Sequence, residues 1–105
     1  MLCNRRSIKL RMPVPGRKAA RLNPDQAFAK ALRRARKRKE ISQEALGFDS
    51  GYHRTYISML ERGMMNPSLR TILSIAAALE MPAAQLVRDV EKLLGGPWRR
   101  ESGQG

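Results

Sequence analysis

The stretch Gln43–Arg62, QEALGFDSGYHRTYISMLER, decides the fold of this 105-residue chain. Its apolar residues are spaced as on two short helices that face each other. They are Leu46 on the first helix, and Ile57 and Leu60 on the second. Such helices bury these residues against one another only if they cross closely, so small residues are needed where they meet.

Two glycines allow this close crossing. Gly47 stands on the first helix, where a large side chain would hold the second helix away. Gly51 stands in the turn, where a residue that is free to adopt positive φ reverses the chain at little cost. The stretch therefore predicts a helix-turn-helix.

The second helix of this motif carries polar and hydrogen-bonding side chains at or near its exposed N-terminal end. They are Arg54, Thr55, Tyr56, Ser58 and Met59. A guanidinium such as that of Arg54 can bond both acceptors of guanine in the major groove, while Thr55 and Met59 can contact thymine methyl groups. This set suits the edges of bases. A phosphate contact for Arg54 and pure core packing for Tyr56 stay open as alternatives.

The string SQEALGFDSGYHRTYISMLERG, with the later NPSLRTILSIAAAL, resembles the phage-repressor (Cro/CI, XRE) family of helix-turn-helix DNA-binding proteins. Within that family it is most similar to restriction-modification controller-type regulators. The resemblance covers roughly residues 28–94 and implies an all-α fold, a compact five-helix bundle of the lambda-repressor-like DNA-binding type. The chain departs from the usual pattern at three positions. Ala45 stands where a capping Glu is usual, Gly47 where Ala is commoner, and His53 where a Ser, Thr or Asp usually caps the second helix.

The resemblance also implies roles for residues outside the second helix of the motif. It implies a structural ion pair between Arg36 and Glu61, and it places Gln43 against the DNA backbone, where a first-turn amide suits a phosphate oxygen. Arg62 lies beyond the helix and is better placed for backbone than for bases. The complete predicted DNA-binding set is Gln43, His53, Arg54, Thr55, Tyr56, Ser58, Met59 and Arg62.

The charge of the chain is unevenly distributed. Residues 1–40 hold fourteen of the 21 Lys and Arg residues against two acids, so most of the net charge of +12 lies there. This asymmetry predicts a polyanionic partner, nucleic acid before membrane. Residues 1–22 carry seven of these cations, no acid and the break Pro13-Val14-Pro15-Gly16. We expect a disordered basic arm, which follows DNA phosphates, enters a minor groove, or is a solvated tail with no defined contact.

Capping signals divide the remaining chain into helices. Asn23-Pro24-Asp25-Gln26 begins the first helix, which runs to about Lys39. Ser42 caps the second helix, and Asn66-Pro67-Ser68 begins the fourth. The fourth helix has a predicted core stripe of Leu69, Ile72, Ile75, Ala76 and Leu79. The resulting domain plan is an arm at 1–22, the helix-turn-helix domain at 23–95 with its motif at 43–62, and a flexible tail at 96–105.

The fifth helix, from Ala83 to about Leu94, carries more apolar residues than one narrow core seam requires. We expect Leu86 and Val90 to cover the core. The other apolar positions and a tryptophan beyond the helix predict a homodimer interface made of Val87, Leu93, Leu94 and Trp98. A dimer would read a palindromic operator with two helices about 34–36 Å apart.

Other kinds of site find little support in the sequence. Cys3 is the only cysteine and His53 the only histidine, so neither a disulfide within the chain nor a His/Cys metal site is expected. No catalytic constellation accompanies them, so we expect no enzyme and no cofactor. The chain also lacks an apolar run of membrane-spanning length, which predicts a cytoplasmic, nucleoid-associated bacterial protein.

The leading functional prediction is a sequence-specific DNA-binding transcription regulator that occupies its operator as a dimer through the helix at 54–61. One alternative is an antitoxin-type DNA-binding protein with a toxin partner. Another is a co-activator-like adaptor that binds proteins of the transcription machinery through the same fold. The operator, the target genes and the direction of regulation stay open.

Overall fold

A computed structural model describes residues 22–98 of the chain, and within that range the chain forms five α-helices and no strand. The helices are α1 (Pro24–Lys39), α2 (Gln43–Ser50), α3 (Arg54–Glu61), α4 (Leu69–Ala78) and α5 (Ala83–Leu93). Helix α1 packs against α3 and α5, α2 packs against α3 and α4, and α4 also contacts α5. The prediction of an all-α five-helix domain is confirmed. The basic arm lies outside the described residues except for Leu22, and so do residues 99–105 of the tail.

The first four helices each begin at a side chain that accepts a hydrogen bond from a backbone N–H of the first turn. The N–H of Gln26 donates to Asn23 Oδ1 at 2.8 Å, and the N–H of Asn23 donates to Gln26 Oε1 at 3.0 Å, so these two residues form a capping box. Ser42 and Ser68 cap α2 and α4. Helix α5 follows Pro82 and has no side-chain cap. Local sequence therefore sets most of the helix boundaries.

Every helix contributes at least one aliphatic side chain to a single core. The largest fully buried side chains are Leu32, Leu46, Ile57, Leu60, Ile75 and Leu86. Because each helix is short, burying these residues together supplies most of what holds the helices in place.

The close crossing of α2 and α3 depends on Gly47, as predicted. A β-carbon built at this position would lie 2.6 Å from the carbonyl oxygen of Tyr52, a backbone atom that cannot move aside without shifting the turn. Gly51 ends α2 with a φ of 87°, and its N–H donates to the carbonyl of Gly47 at 2.9 Å. The two glycines therefore have the roles that the sequence assigned to them.

The predicted core stripe of α4 was wrong at Leu69, whose side chain is 71% exposed. Leu69 lies six positions before the buried Ile75, which places it about 120° away around the helix at 3.6 residues per turn. Thr71 lies on the buried side instead, and its hydroxyl is 3.0 Å from the hydroxyl of Tyr52. The first turn of α4 therefore closes against the loop between α2 and α3 through a polar contact.

None of the helices among residues 22–98 combines the length and the apolar character that crossing a bilayer requires. Over the same range, no group of three or more His, Cys, Asp or Glu side chains is arranged to hold a metal ion.

Candidate nucleic-acid interface

Helix α3 presents two chemically different faces. Ile57 and Leu60 are fully buried on the inner face, and Glu61 is buried at its end. Thr55 is exposed on the outer face, and Arg54 is exposed at the N-terminal end of the helix. The helix is therefore held by its inner face and leaves hydrogen-bonding side chains open on its outer face and at its N-terminal end.

The ion pair that the resemblance implies joins α1 to the end of α3. Arg36 donates from Nε to Glu61 Oε2 at 2.5 Å and from Nη2 to Glu61 Oε1 at 2.9 Å. Its Nη1 donates to the carbonyl of Ile41 at 2.9 Å. The side chains are only 12% and 3% exposed, and the hydrogen bond to Glu61 raises the pKa of Arg36 by more than burial lowers it. A two-bond guanidinium fork of this kind fixes orientation as well as distance.

Gln43 belongs to the same polar network. Its Nε2 donates to Glu61 Oε1 at 3.1 Å, a bond that sequence reasoning did not foresee. An amide nitrogen carries two hydrogens, so one hydrogen of Gln43 is used by Glu61 and the other can still donate to a phosphate. The pair of Arg36 and Glu61 thus positions the first residue of α2 relative to α3.

His53 begins α3 as its N-cap residue. The N–H of Thr55 donates to His53 Nδ1 at 3.0 Å, and the imidazole is exposed. An imidazole nitrogen therefore fulfils the role that a Ser, Thr or Asp oxygen usually has at the start of a helix.

The other predicted contact residues differ in how much of their surface is open. The ring of Tyr56 packs against the core and against Tyr52, with ring centroids 5.1 Å apart, which favours the packing role for its ring. Ser58 and Met59 are half-buried, while Arg62 is exposed. The predicted residues of α3 are therefore unequally accessible.

Arg70 is a candidate that sequence reasoning missed. It is exposed in the first turn of α4, and the adjacent Thr71 contacts Tyr52 in the loop between α2 and α3. A cation in the first turn of a helix opposes the helix dipole. This unfavourable placement could have drawn attention to Arg70 from the sequence alone. It makes Arg70 a candidate phosphate contact beside the motif.

The basic residues of α1 do not all face the same way. Arg36 contacts α3, and Arg34 and Arg38, two positions to either side, lie about 160° around the helix from it. These two side chains line a cleft of about 260 Å³ against α5, where Arg38 lies 4.0 Å from Asp89. They are therefore on the side of α1 opposite to the contact with α3.

At the C-terminal end, Val87 and Trp98 are 41% and 52% exposed. Leu94 is half-buried. Leu86 is fully buried and Val90 packs against the core, as expected. Leu93 is also half-buried and packs against the core, so this predicted interface residue has only part of its surface open.

Comparison with known proteins identifies the same part of the chain. The helix-turn-helix family model HTH_3 matches residues 32–86. Control protein C.BamHI from Bacillus amyloliquefaciens is 43% identical over 61 residues, which cover 57% of this chain and 75% of that protein. The segment matched by the family model includes the whole motif and its contact with α1.

Two solved structures extend this similarity to three dimensions. The restriction-modification controller protein C.AhdI from Aeromonas hydrophila is 42% identical with a TM-score of 0.58, covering 59% of this chain and 94% of that one. The restriction-modification controller protein C.Esp1396I, solved as a tetramer with its natural 35 base-pair operator, is 25% identical with a TM-score of 0.65. That match covers 70% of this chain and 96% of the C.Esp1396I chain.

Proposed function

The chain belongs to the HTH_3 helix-turn-helix family, and from this membership we propose that it is a transcription regulator that binds a specific double-stranded DNA operator. The observation that carries the proposal is the contrast within α3 between an inner face fixed by the core and by Glu61 and the exposed hydrogen-bonding side chains of Arg54 and Thr55. We propose no catalytic role and no cofactor. Since its target is the genome, we place it at the nucleoid in the bacterial cytoplasm.

We propose that α3 enters the major groove and reads base edges. Arg54 is exposed at its first position and would bond guanine through both acceptors of that base. Thr55 and Met59 would contact thymine methyl groups, and Ser58 would add a short hydrogen bond. This assignment makes α3 the source of sequence preference.

The remaining predicted contacts would fix the domain on the DNA backbone. Gln43, held by Glu61, would donate its second amide hydrogen to a phosphate. Arg62 and Arg70 are exposed cations at either side of the loop that follows α3. The Tyr56 hydroxyl would reach a phosphate while its ring packs.

The N-terminal arm would enter the same complex. A β-carbon built on Gly63, just beyond α3, would lie 3.6 Å from the Cα of Gln26 in the first turn of α1. The first turn of α1 therefore lies next to the C-terminal end of α3, the proposed recognition helix. Residues 1–21, with seven Lys and Arg residues, would join the domain there, which supports our proposal that they contact phosphates.

We also propose that the protein acts as a homodimer. One helix reads only a few base pairs, whereas two copies related by a two-fold axis read a palindrome with half-sites one DNA turn apart. Val87, Leu94 and Trp98, with the open part of Leu93, would form the interface. A toxin or transcription-machinery partner stays a prediction.

Selection of bound sequences from a random DNA pool tests the proposal. We expect an enriched palindrome whose half-sites are centred about 10 base pairs apart. The selected operator should bind at least about 10³-fold more tightly than scrambled DNA at physiological salt. An adaptor that holds DNA without sequence preference would enrich no sequence and would bind both DNAs alike, and that result would overturn the proposal.

A further inference from the structure

The imidazole of His53 has only one of its two nitrogens occupied within the described part of the chain. Nδ1 accepts the N–H of Thr55 at 3.0 Å, and the residue is exposed. We infer that His53 has two functions at once: Nδ1 caps the recognition helix, and the hydrogen on Nε2 is donated to a DNA phosphate. This inference rests on the proposed function.

The cap bond determines which nitrogen carries the hydrogen. A nitrogen that accepts a hydrogen bond must be unprotonated, and a neutral imidazole has one protonated and one unprotonated nitrogen. Because Nδ1 accepts from Thr55, the neutral ring carries its hydrogen on Nε2. The helix start therefore selects the tautomer and leaves a donor on the part of the ring that the cap does not use.

The position of the ring gives this donor a use in the DNA complex. His53 is adjacent to Arg54, the proposed base-reading residue, and both are exposed. When α3 lies in the groove, the residue just before its first turn lies between the base edges and the sugar-phosphate backbone. Backbone contacts of this kind set the register of a recognition helix.

The more usual capping residues cannot perform both tasks in the same way. An Asp cap accepts only and brings negative charge toward the phosphates. A Ser cap places its hydroxyl against the first turn, and its short side chain does not extend beyond the helix start. An Asn cap, such as Asn23 of α1, also pairs an acceptor with a neutral donor, but its side chain is shorter than an imidazole. Histidine therefore combines an acceptor facing the helix with a neutral donor held farther from it.

Two substitutions separate the capping role from the DNA contact. His53→Ser keeps a cap and removes the Nε2 donor, since the serine hydroxyl is too short to replace it, whereas His53→Ala removes both cap and donor. At pH 8, we expect His53→Ser to unfold at nearly the wild-type temperature but to bind DNA about two- to tenfold more weakly, the range for one neutral hydrogen bond. This weakening should be the same for operator and scrambled DNA, and the salt slope should not change, because a neutral donor releases no counterion. His53→Ala should lose thermal stability as well.

The chain contains a single histidine, so a nitrogen-15 spectrum of histidine-labelled protein reports on His53 alone. We expect the free protein to show an unprotonated Nδ1 and a protonated Nε2. Addition of the selected operator should shift Nε2 and slow the exchange of its hydrogen. A hydrogen on Nδ1 in the free protein overturns the inference.

The outcomes also separate this inference from the proposed function. If wild type binds its operator tightly and His53→Ser binds it equally well, the inference alone is overturned. If wild type prefers no DNA sequence, the proposed function fails, and the inference fails with it.

Discussion

Helices α3 and α5 are both amphipathic, yet they differ in how they are attached and in what they expose. Helix α3 begins at a histidine cap and ends at Glu61, which is held by Arg36. Helix α5 has no side-chain cap and is attached through apolar packing around the fully buried Leu86. The outer face of α3 offers hydrogen-bonding groups, whereas α5 and the segment after it leave Val87 and Trp98 partly open.

We propose that the difference follows from what each surface contacts. Hydrogen bonds are directional, so a helix that reads base edges must be held in one orientation. The charged anchor at Glu61 provides that constraint. Apolar contact is not directional, so a helix that pairs with a second copy can be attached by packing alone. Amphipathic character by itself therefore does not indicate the partner; the chemistry of the outer face does.

The largest effect we expect is the loss of the α3 anchor. Arg36→Ala would leave the carboxylate of Glu61 buried with only Gln43 as a partner, and it should destabilise the fold by about 3–5 kcal/mol, the usual range for breaking a buried pair from one side. Chemical denaturation measures it. Lys39→Ala is the matched control, because it removes an exposed ion pair, with Glu80, from the same helix.

That control should leave the unfolding midpoint nearly unchanged, since exposed pairs contribute little. If Arg36→Ala is no more destabilising than Lys39→Ala, α3 is held by apolar packing as α5 is, and the contrast between the two attachments disappears.

A smaller effect is expected at the N-terminal end of α3. Arg54→Ala should weaken operator binding by roughly 1–3 kcal/mol and relax the preference at one base pair per half-site, because its proposed contact is a base edge. Titration against the selected operator and single-base variants of it measures both quantities. An equal weakening on all sequences would instead make Arg54 a phosphate contact.

Deletion of residues 1–22 provides the complementary control for that experiment. We expect the sequence ranking to stay the same while the salt slope falls by about one unit for each phosphate that the arm neutralises in the wild-type complex. An unchanged slope would make the arm a passive tail and would leave α3 and its neighbours as the whole DNA-binding surface.

The smallest effect concerns the exposed pair of Lys39 and Glu80, which are 2.7 Å apart. The hydrogen bond from Lys39 lowers the pKa of Glu80 below its ordinary value of 4.5. Folding therefore favours the ionised carboxylate of Glu80. Its contribution to the stability of the fold is present above pH 4.5 and is lost as the pH falls through the lowered pKa of the folded protein. We expect Glu80→Gln to melt slightly below wild type at about pH 6, and the difference to disappear as the pH is lowered far enough to protonate Glu80 in the folded protein.

A difference in melting temperature between wild type and Glu80→Gln that persists unchanged in acid would mean that the carboxylate of Glu80 does not stabilise the fold through its charge. In that case the exposed ion pair would make no electrostatic contribution to stability, unlike the buried pair of Arg36 and Glu61.

The sequence predicted the helices well because their boundaries are local. The capping box of Asn23 and Gln26, the cap at Ser42 and the positive φ of Gly51 involve residues within a few positions of one another. Residue spacing also predicted that Leu86 is buried.

The error at Leu69 was avoidable, because helical spacing alone places it about 120° from the buried Ile75. The omissions arise where distant parts of the chain meet. Thr71 is paired with Tyr52, 19 positions away. The bond from Gln43 to Glu61 joins residues 18 positions apart, and no local pattern predicts it. The orientation of Arg38 toward Asp89 likewise depends on where α5 packs.

We propose that two copies pair through α5 and the segment after it, so that two α3 helices read one operator. Sedimentation velocity of wild type and Leu94→Glu, each alone and with the selected operator, tests it most directly. We expect wild type to be a dimer at micromolar concentration and to form a complex of two copies per operator. Leu94→Glu should be a monomer that binds the operator far more weakly. If both proteins are monomers and bind equally well, the interface is not at α5 and the account is wrong.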